Sequence, residues 1–219
     1  MKIRSRAVVL LMLALALTGA ALAAKKFTMP RAYHAKTYPA RDEHTQEQVT
    51  VAADPYDTAD RQEIFSVDYR EHGVLPVLLI VTNDSDHPIS LVDMKVEMMT
   101  SQRVKLPEAS MDDVIRRIQR EVKRPDAPRT YPLPIPRRKP KPNVDQATRD
   151  EIDESMFHAH AVEAHSTQSG FVYFDVSGIS NPLAGARLSC SGLKNEGQEL
   201  FFFEIAMEKY LTYQPGKTP

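Results

Sequence analysis

His158 and His160 stand two residues apart, and His165 follows closely. On a strand, residues i and i+2 share a face, so both imidazoles would point the same way. Zinc collects three or four such ligands in a tetrahedron. A site on this pair therefore needs His165 and a further residue, His72 or His87, brought from elsewhere. Exposed histidines along a sheet edge are the competing reading. Asn83, Asp84, Asp86 and Asp93 carry the oxygen donors that calcium takes, but the glycine and distal glutamate of the twelve-residue calcium loop are missing. Such a run equally makes a plain turn, because Asn and Asp side chains bond to their own backbone. Asn83-Asp84-Ser85 is also a formal glycosylation sequon.

Other chemistry finds little support. The sequence has no Gly-x-Ser-x-Gly elbow, no His-Glu-x-x-His and no phosphate loop. Eight glycines leave few positions for loops that cradle a cofactor. No catalytic residue and no cofactor is assigned. The enzyme reading that stays open is a metal-dependent hydrolase built on the histidine cluster. Cys190 is the single cysteine, which excludes an internal disulfide. Alternation places it on the same face as Leu188, as a small buried core residue.

Charge is distributed unevenly. Residues 103–142 hold twelve Lys and Arg against five Asp and Glu. The remainder after residue 23 holds thirteen basic and twenty-four acidic residues. Within the basic segment, Ser110 and Asp113 form a capping box. Met111, Val114, Ile115, Ile118 and Val122 recur at helical spacing, and Pro125 closes a helix. Arg116, Arg117, Arg120, Lys123 and Arg124 share its opposite face. Arg137, Arg138, Lys139 and Lys141 follow on a run whose alternate prolines favour polyproline II. Such a surface suits an anionic partner, a lipid-bearing envelope surface or an acidic glycan. The opposing reading is a solvated face folded back onto an acidic domain. After residue 23 the chain holds 25 basic and 29 acidic residues, a net charge of −4 that argues against nucleic-acid binding by the whole molecule.

The elements that must carry these residues are mostly strands. Lys2, Arg4 and Arg6, the uncharged run Ala7–Leu17 and Ala21-Leu22-Ala23 have the three parts of a secretory signal. Export to the periplasm or the extracellular space is expected, with residues 1–23 removed. No later run reaches spanning length, so no transmembrane segment is expected in the mature chain. Residues 24–60 read as an extended N-terminal segment in which Gln48–Ala53 alone looks like a strand. Residues 61–219 read as one β-sandwich domain, interrupted at 103–158 by the helical, proline-rich insertion. Leu75–Thr82 is apolar at both parities, as in a strand buried on both faces. Asn143 with Gln146 caps a second expected helix reaching about Phe157. Strands follow at Ala159–Ala164, from Gly170, at Ala186–Ser191 and at Leu200–Met207. The expected core runs through Val77, Leu79, Val81, Phe171, Tyr173, Leu188 and Phe202.

Two stretches carry a resemblance. Val77-Leu78-Leu79-Ile80-Val81-Thr82-Asn83-Asp84-Ser85 runs into Ile89-Ser90-Leu91, and Ser166–Ser169 lead into Gly170-Phe171-Val172-Tyr173-Phe174-Asp175-Val176. Over residues 63–100 and 159–211 the chain resembles small exported bacterial proteins with an immunoglobulin-like β-sandwich. Leu183–Ala186 and Phe201–Ile205 fit the closing strands of that group. Many of its members have no assigned activity, so the resemblance implies a binding or structural module. The insertion departs from the simple pattern, and the tryptophan and cysteine pair of antibody domains are absent.

Overall fold

The computed structural model describes residues 27–119 and 144–212. The fold is mainly β, with twelve strands in three antiparallel sheets among the described residues. The first sheet runs β1 (Arg41–His44), β2 (Val49–Pro55), β3 (Val74–Asn83), β8 (Ser166–Asp175). The second runs β12 (Phe203–Ala206), β9 (Arg187–Ser191), β5 (Lys95–Met99), β6 (Lys105–Pro107). A small third sheet joins β11 (Gln198–Glu199), β10 (Lys194–Asn195), β4 (Ile89–Ser90) and β7 (Ala161–Val162). Three short α-helices accompany them among the described residues: α1 (Ala59–Gln62), α2 (Met111–Gln119) and α3 (Gln146–Ser155).

All ten residues of β3 are buried, and the reason is that its sheet is covered on both faces. Leu75, Val77, Leu79 and Val81 point into a core shared with Val96, Met98, Leu188, Cys190, Phe203 and Ile205 of the second sheet. Val74, Leu78 and Ile80 point the other way, into a core with Val114 and Ile115 of α2 and Ile152 of α3. A strand with two dry faces needs apolar residues at every position, and that is how 74–81 is written. Phe171 and Tyr173 belong to this outer core, on the opposite side of the sheet from Val77 and Leu188. Phe65 is its aromatic hub, with ring centroids of Tyr69 and Phe171 each 5.0 Å away.

Two expectations are corrected, and a third is met by a shorter element. Within 24–60 the chain forms two strands of a sheet, and β2 is wholly buried beside β3. The short β1–β2 connection brings Arg41 opposite Ala52, so β1 hides its weak alternation behind a strongly apolar neighbour. The last strand is four residues long, and its inner residues are Phe203 and Ile205. Phe202 is 55% exposed, because β12 begins one residue later and alternation from Phe203 turns Phe202 outward. Ala159–Ala164 supplies a two-residue strand, β7, that pairs with β4.

The outer edge of β8 is closed by the chain that leads into and out of the α2–α3 region. Ala109 donates its N–H to the Tyr173 carbonyl at 2.7 Å, and Phe157 donates to the Phe171 carbonyl at 3.0 Å. Covering an edge strand in this way removes a template for unwanted pairing. Gly170 permits it, since a Cβ there would sit 2.3 Å from Phe157 Cα. The proline-rich run and residues 1–23 lie outside the described residues.

Candidate functional site

Helix α2 forms for the reasons its sequence states. Ser110 Oγ lies 3.3 Å from Asp113 N, and the Asp113 carboxylate accepts the Ser110 hydroxyl at 2.6 Å. This capping box satisfies backbone donors at the helix start. Asp112 and Asp113 add favourable charge at its positive end. Val114 and Ile115 are buried against the first sheet, which fixes the rotation of the helix.

That rotation separates two neighbouring arginines. Arg117 turns inward and donates to the Asp175 carboxylate at the end of β8. Arg116 stays outside and pairs with Asp113 one turn back. Burial alone would lift the Asp175 carboxyl. Hydrogen bonds from the Ser177 hydroxyl and amide, with the Arg117 guanidinium, outweigh that and hold it below the usual carboxylate range. The Ser110 hydroxyl and then Arg116 likewise hold Asp113 low.

Between α2, β6 and the ends of β3 and β8 lies a cleft of about 520 Å³. Val74, Leu106, Pro107, Ala109 and Val114 supply its apolar wall, and Arg116, Arg117, Asp113 and Asp175 its charged rim. Glu108 also lines it. The backbone of Glu108 ties the two sheets together, since its N–H reaches the Val96 carbonyl and the next amide reaches Tyr173. Its carboxyl has no ionic or hydrogen-bond partner among the described residues, and burial pushes it above the usual carboxylate range.

The structure thus brings Arg116 and Arg117 to one cleft, each already paired. Arg120, Lys123, Arg124, Arg137, Arg138, Lys139 and Lys141 lie outside the described residues. The three histidines go separate ways. His158 donates to the Asp153 carbonyl at 2.7 Å, and His165 pairs with Asp86 at 3.0 Å. His160 is exposed on the chain entering β7. His87 lies 3.6 Å from Glu196 instead. Among the described residues, no group of three His, Cys, Asp or Glu side chains is arranged to hold a metal ion.

The Asn83 run resolves as a turn. Asn83 is fully buried, its carbonyl oxygen accepts the Ser85 amide at 3.0 Å, and its amide nitrogen donates to the His87 carbonyl at 2.7 Å. Asp84 is spent on His34 and Lys36. A buried, doubly committed asparagine offers nothing to a glycosylating enzyme or a cation.

Sequence reasoning passed over several side chains that the structure makes prominent. Glu108 sits beside Pro107 without any charge pattern, and its unpaired state depends on which residues line the cleft. Asp54 is nearly buried and receives a two-pronged guanidinium from Arg61, which also lies 4.3 Å over the Tyr56 ring. The seven-residue spacing of Asp54 and Arg61 crosses a loop and carries no periodic signal. Phe201 and Phe202 are exposed beside His44 and Glu47. A run of three phenylalanines marks a hydrophobic segment but does not say which ring points out.

No helix among the described residues is long and apolar enough to cross a membrane. Comparisons with protein-family models, with curated proteins and with solved structures found no match.

Proposed function

We propose that the protein is an exported, non-enzymatic binding or structural module of the cell envelope. Its basic 103–142 segment docks an anionic surface, lipid headgroups or an acidic glycan. The observation that carries this reading is the separation of charge. Twelve basic residues against five acidic ones are gathered in a single segment of an otherwise acidic chain. Residues 120–143 alone hold eight of the twelve basic residues and two of the five acidic ones. Like charges at that density attract anions over the screening length of about 8 Å at physiological salt.

The packing supports the same division of labour. Val114 and Ile115 anchor α2 in the core and Arg117 pins it to Asp175, so the start of the segment is held by the domain. What supports the immunoglobulin-like reading is a pair of antiparallel sheets around one core: β1, β2, β3 and β8 form one sheet, β12, β9, β5 and β6 the other, and both supply residues to the same apolar cluster.

The test compares wild type with a variant in which Arg137, Arg138, Lys139 and Lys141 are changed to Gln. These positions are chosen because Arg116 and Arg117 already hold carboxylates of the domain. Binding to anionic vesicles and to an acidic polysaccharide is measured over a salt series. Wild-type binding should weaken with salt, and the variant should bind several-fold more weakly with a flatter salt dependence. Equal, salt-insensitive binding by the two proteins overturns the proposal.

A further inference from the structure

Among the described residues, the cleft beneath α2 has a charge balance that does not close. Five ionisable side chains line it, and four of them form two pairs, Arg116 with Asp113 and Arg117 with Asp175. Glu108 is left over, half-buried, with no cation beside it among the described residues. A carboxylate drawn out of water without a partner is unfavourable, and folded proteins normally pair such groups. Among the described residues, the missing element is one positive charge.

We propose that this cleft is a binding site for a small aliphatic amine. Its ammonium pairs with the Glu108 carboxylate, and its methylenes lie against Leu106, Pro107 and Val114. A volume of about 520 Å³ falls in the range of small-molecule sites, which combine an apolar wall with a few polar groups. The alternatives fit less well. An anionic ligand meets arginines already neutralised by Asp113 and Asp175 and is repelled by Glu108, and a neutral apolar ligand leaves Glu108 unpaired. Burial already lifts the Glu108 carboxyl above its usual range, so the site rewards a ligand that restores a counter-charge. The inference stands apart from the docking role of the basic segment, which attracts the opposite charge.

The experiment titrates n-pentylamine, pentan-1-ol and pentanoate into the full-length protein and follows backbone amide shifts by NMR. Saturable shifts are expected at Glu108, Ala109, Val114 and Asp175 with n-pentylamine, and at least tenfold weaker binding with the other two probes. Glu108→Gln should weaken n-pentylamine at least tenfold, while Glu154→Gln, at an exposed position on α3, should leave it unchanged. Equal affinity of wild type and Glu108→Gln overturns the proposal. So does pentanoate binding as tightly as the amine, or an absence of saturable shifts. Should Glu108→Gln fail a thermal-unfolding check, the ranking of the three probes on wild type decides by itself.

Discussion

Gly170→Ala tests whether the chain leaving α3 is sewn to the edge of β8. An added Cβ would lie 2.3 Å from Phe157 Cα and 2.8 Å from Phe157 N and Cβ, where ordinary contact begins at 3.4 Å. The Phe157 backbone must therefore retreat by about 1 Å, against the close packing of a protein interior. Its hydrogen bond to the Phe171 carbonyl, 3.0 Å in the native protein, then stretches beyond useful range. Losing that bond costs about 1 kcal/mol, and overpacking adds about 1–3 kcal/mol. Gly170 has no positive φ, so alanine suffers no backbone penalty and recovers about 0.4–1 kcal/mol from the unfolded chain. The net loss is about 1–3.6 kcal/mol, which lowers Tm by about 2–14 °C in a domain of this size. Thermal unfolding measures the total, and amide exchange at Phe157 reads the local opening. A Tm at or above wild type with the Phe157 amide still protected refutes the edge closure.

Three further outcomes follow from the same packing. Phe203→Ala should cost about 3–5 kcal/mol in denaturant unfolding, whereas the exposed Phe202→Ala should stay within about 0.5 kcal/mol; equal losses would place β12 in the wrong frame. Burial, with Glu108 adding a smaller effect, pushes the Cys190 thiol up to about 12, so the native protein should resist a disulfide reagent at pH 8 and react on unfolding; rapid native labelling contradicts its burial. Burial also raises the Glu151 carboxyl against the opposing hydrogen bond from Ser66 N–H, so the folded state holds this proton more tightly than the unfolded chain. Its contribution is fully present below the usual value of 4.5 and is lost as pH rises through the raised one. Wild type should therefore lose ground to Glu151→Gln across that interval in pH-dependent unfolding, and a gain with rising pH would reverse the assigned cause.

Much of the fold was legible in local pattern. Apolar residues at both parities marked 75–82 as a strand with two dry faces, and Ser110 with Asp113 marked the start of α2. Both signals are short-range: a strand's pleat and a helix's first turn are decided by residues within four positions of each other. The second helix was legible too, though its cap is Asp145, whose carboxylate accepts the Thr148 amide at 2.9 Å. Two other features were likewise written in the sequence: the surplus of Lys and Arg in 103–142 and the burial of the single cysteine.

What the tertiary structure decided is the set of choices that local pattern leaves equal. Phe201, Phe202 and Phe203 have the same hydrophobicity, and the pairing of Phe203 with Cys190 on β9 selects which ring is inside. Arg116 and Arg117 have the same charge, and the rotation set by Val114 and Ile115 gives one to Asp113 and the other to Asp175, fifty-eight residues away. His158, His160 and His165 are close in sequence, yet the turn at His165, with φ of 53°, and the start of β7 separate them: His158 meets Asp153, His165 meets Asp86, and His160 is exposed. Glu108 became a candidate only when β6, α2 and β8 closed around it. Periodicity reports which residues avoid water. It does not report which distant strand or carboxylate meets them, because that depends on register and packing between segments far apart in the chain.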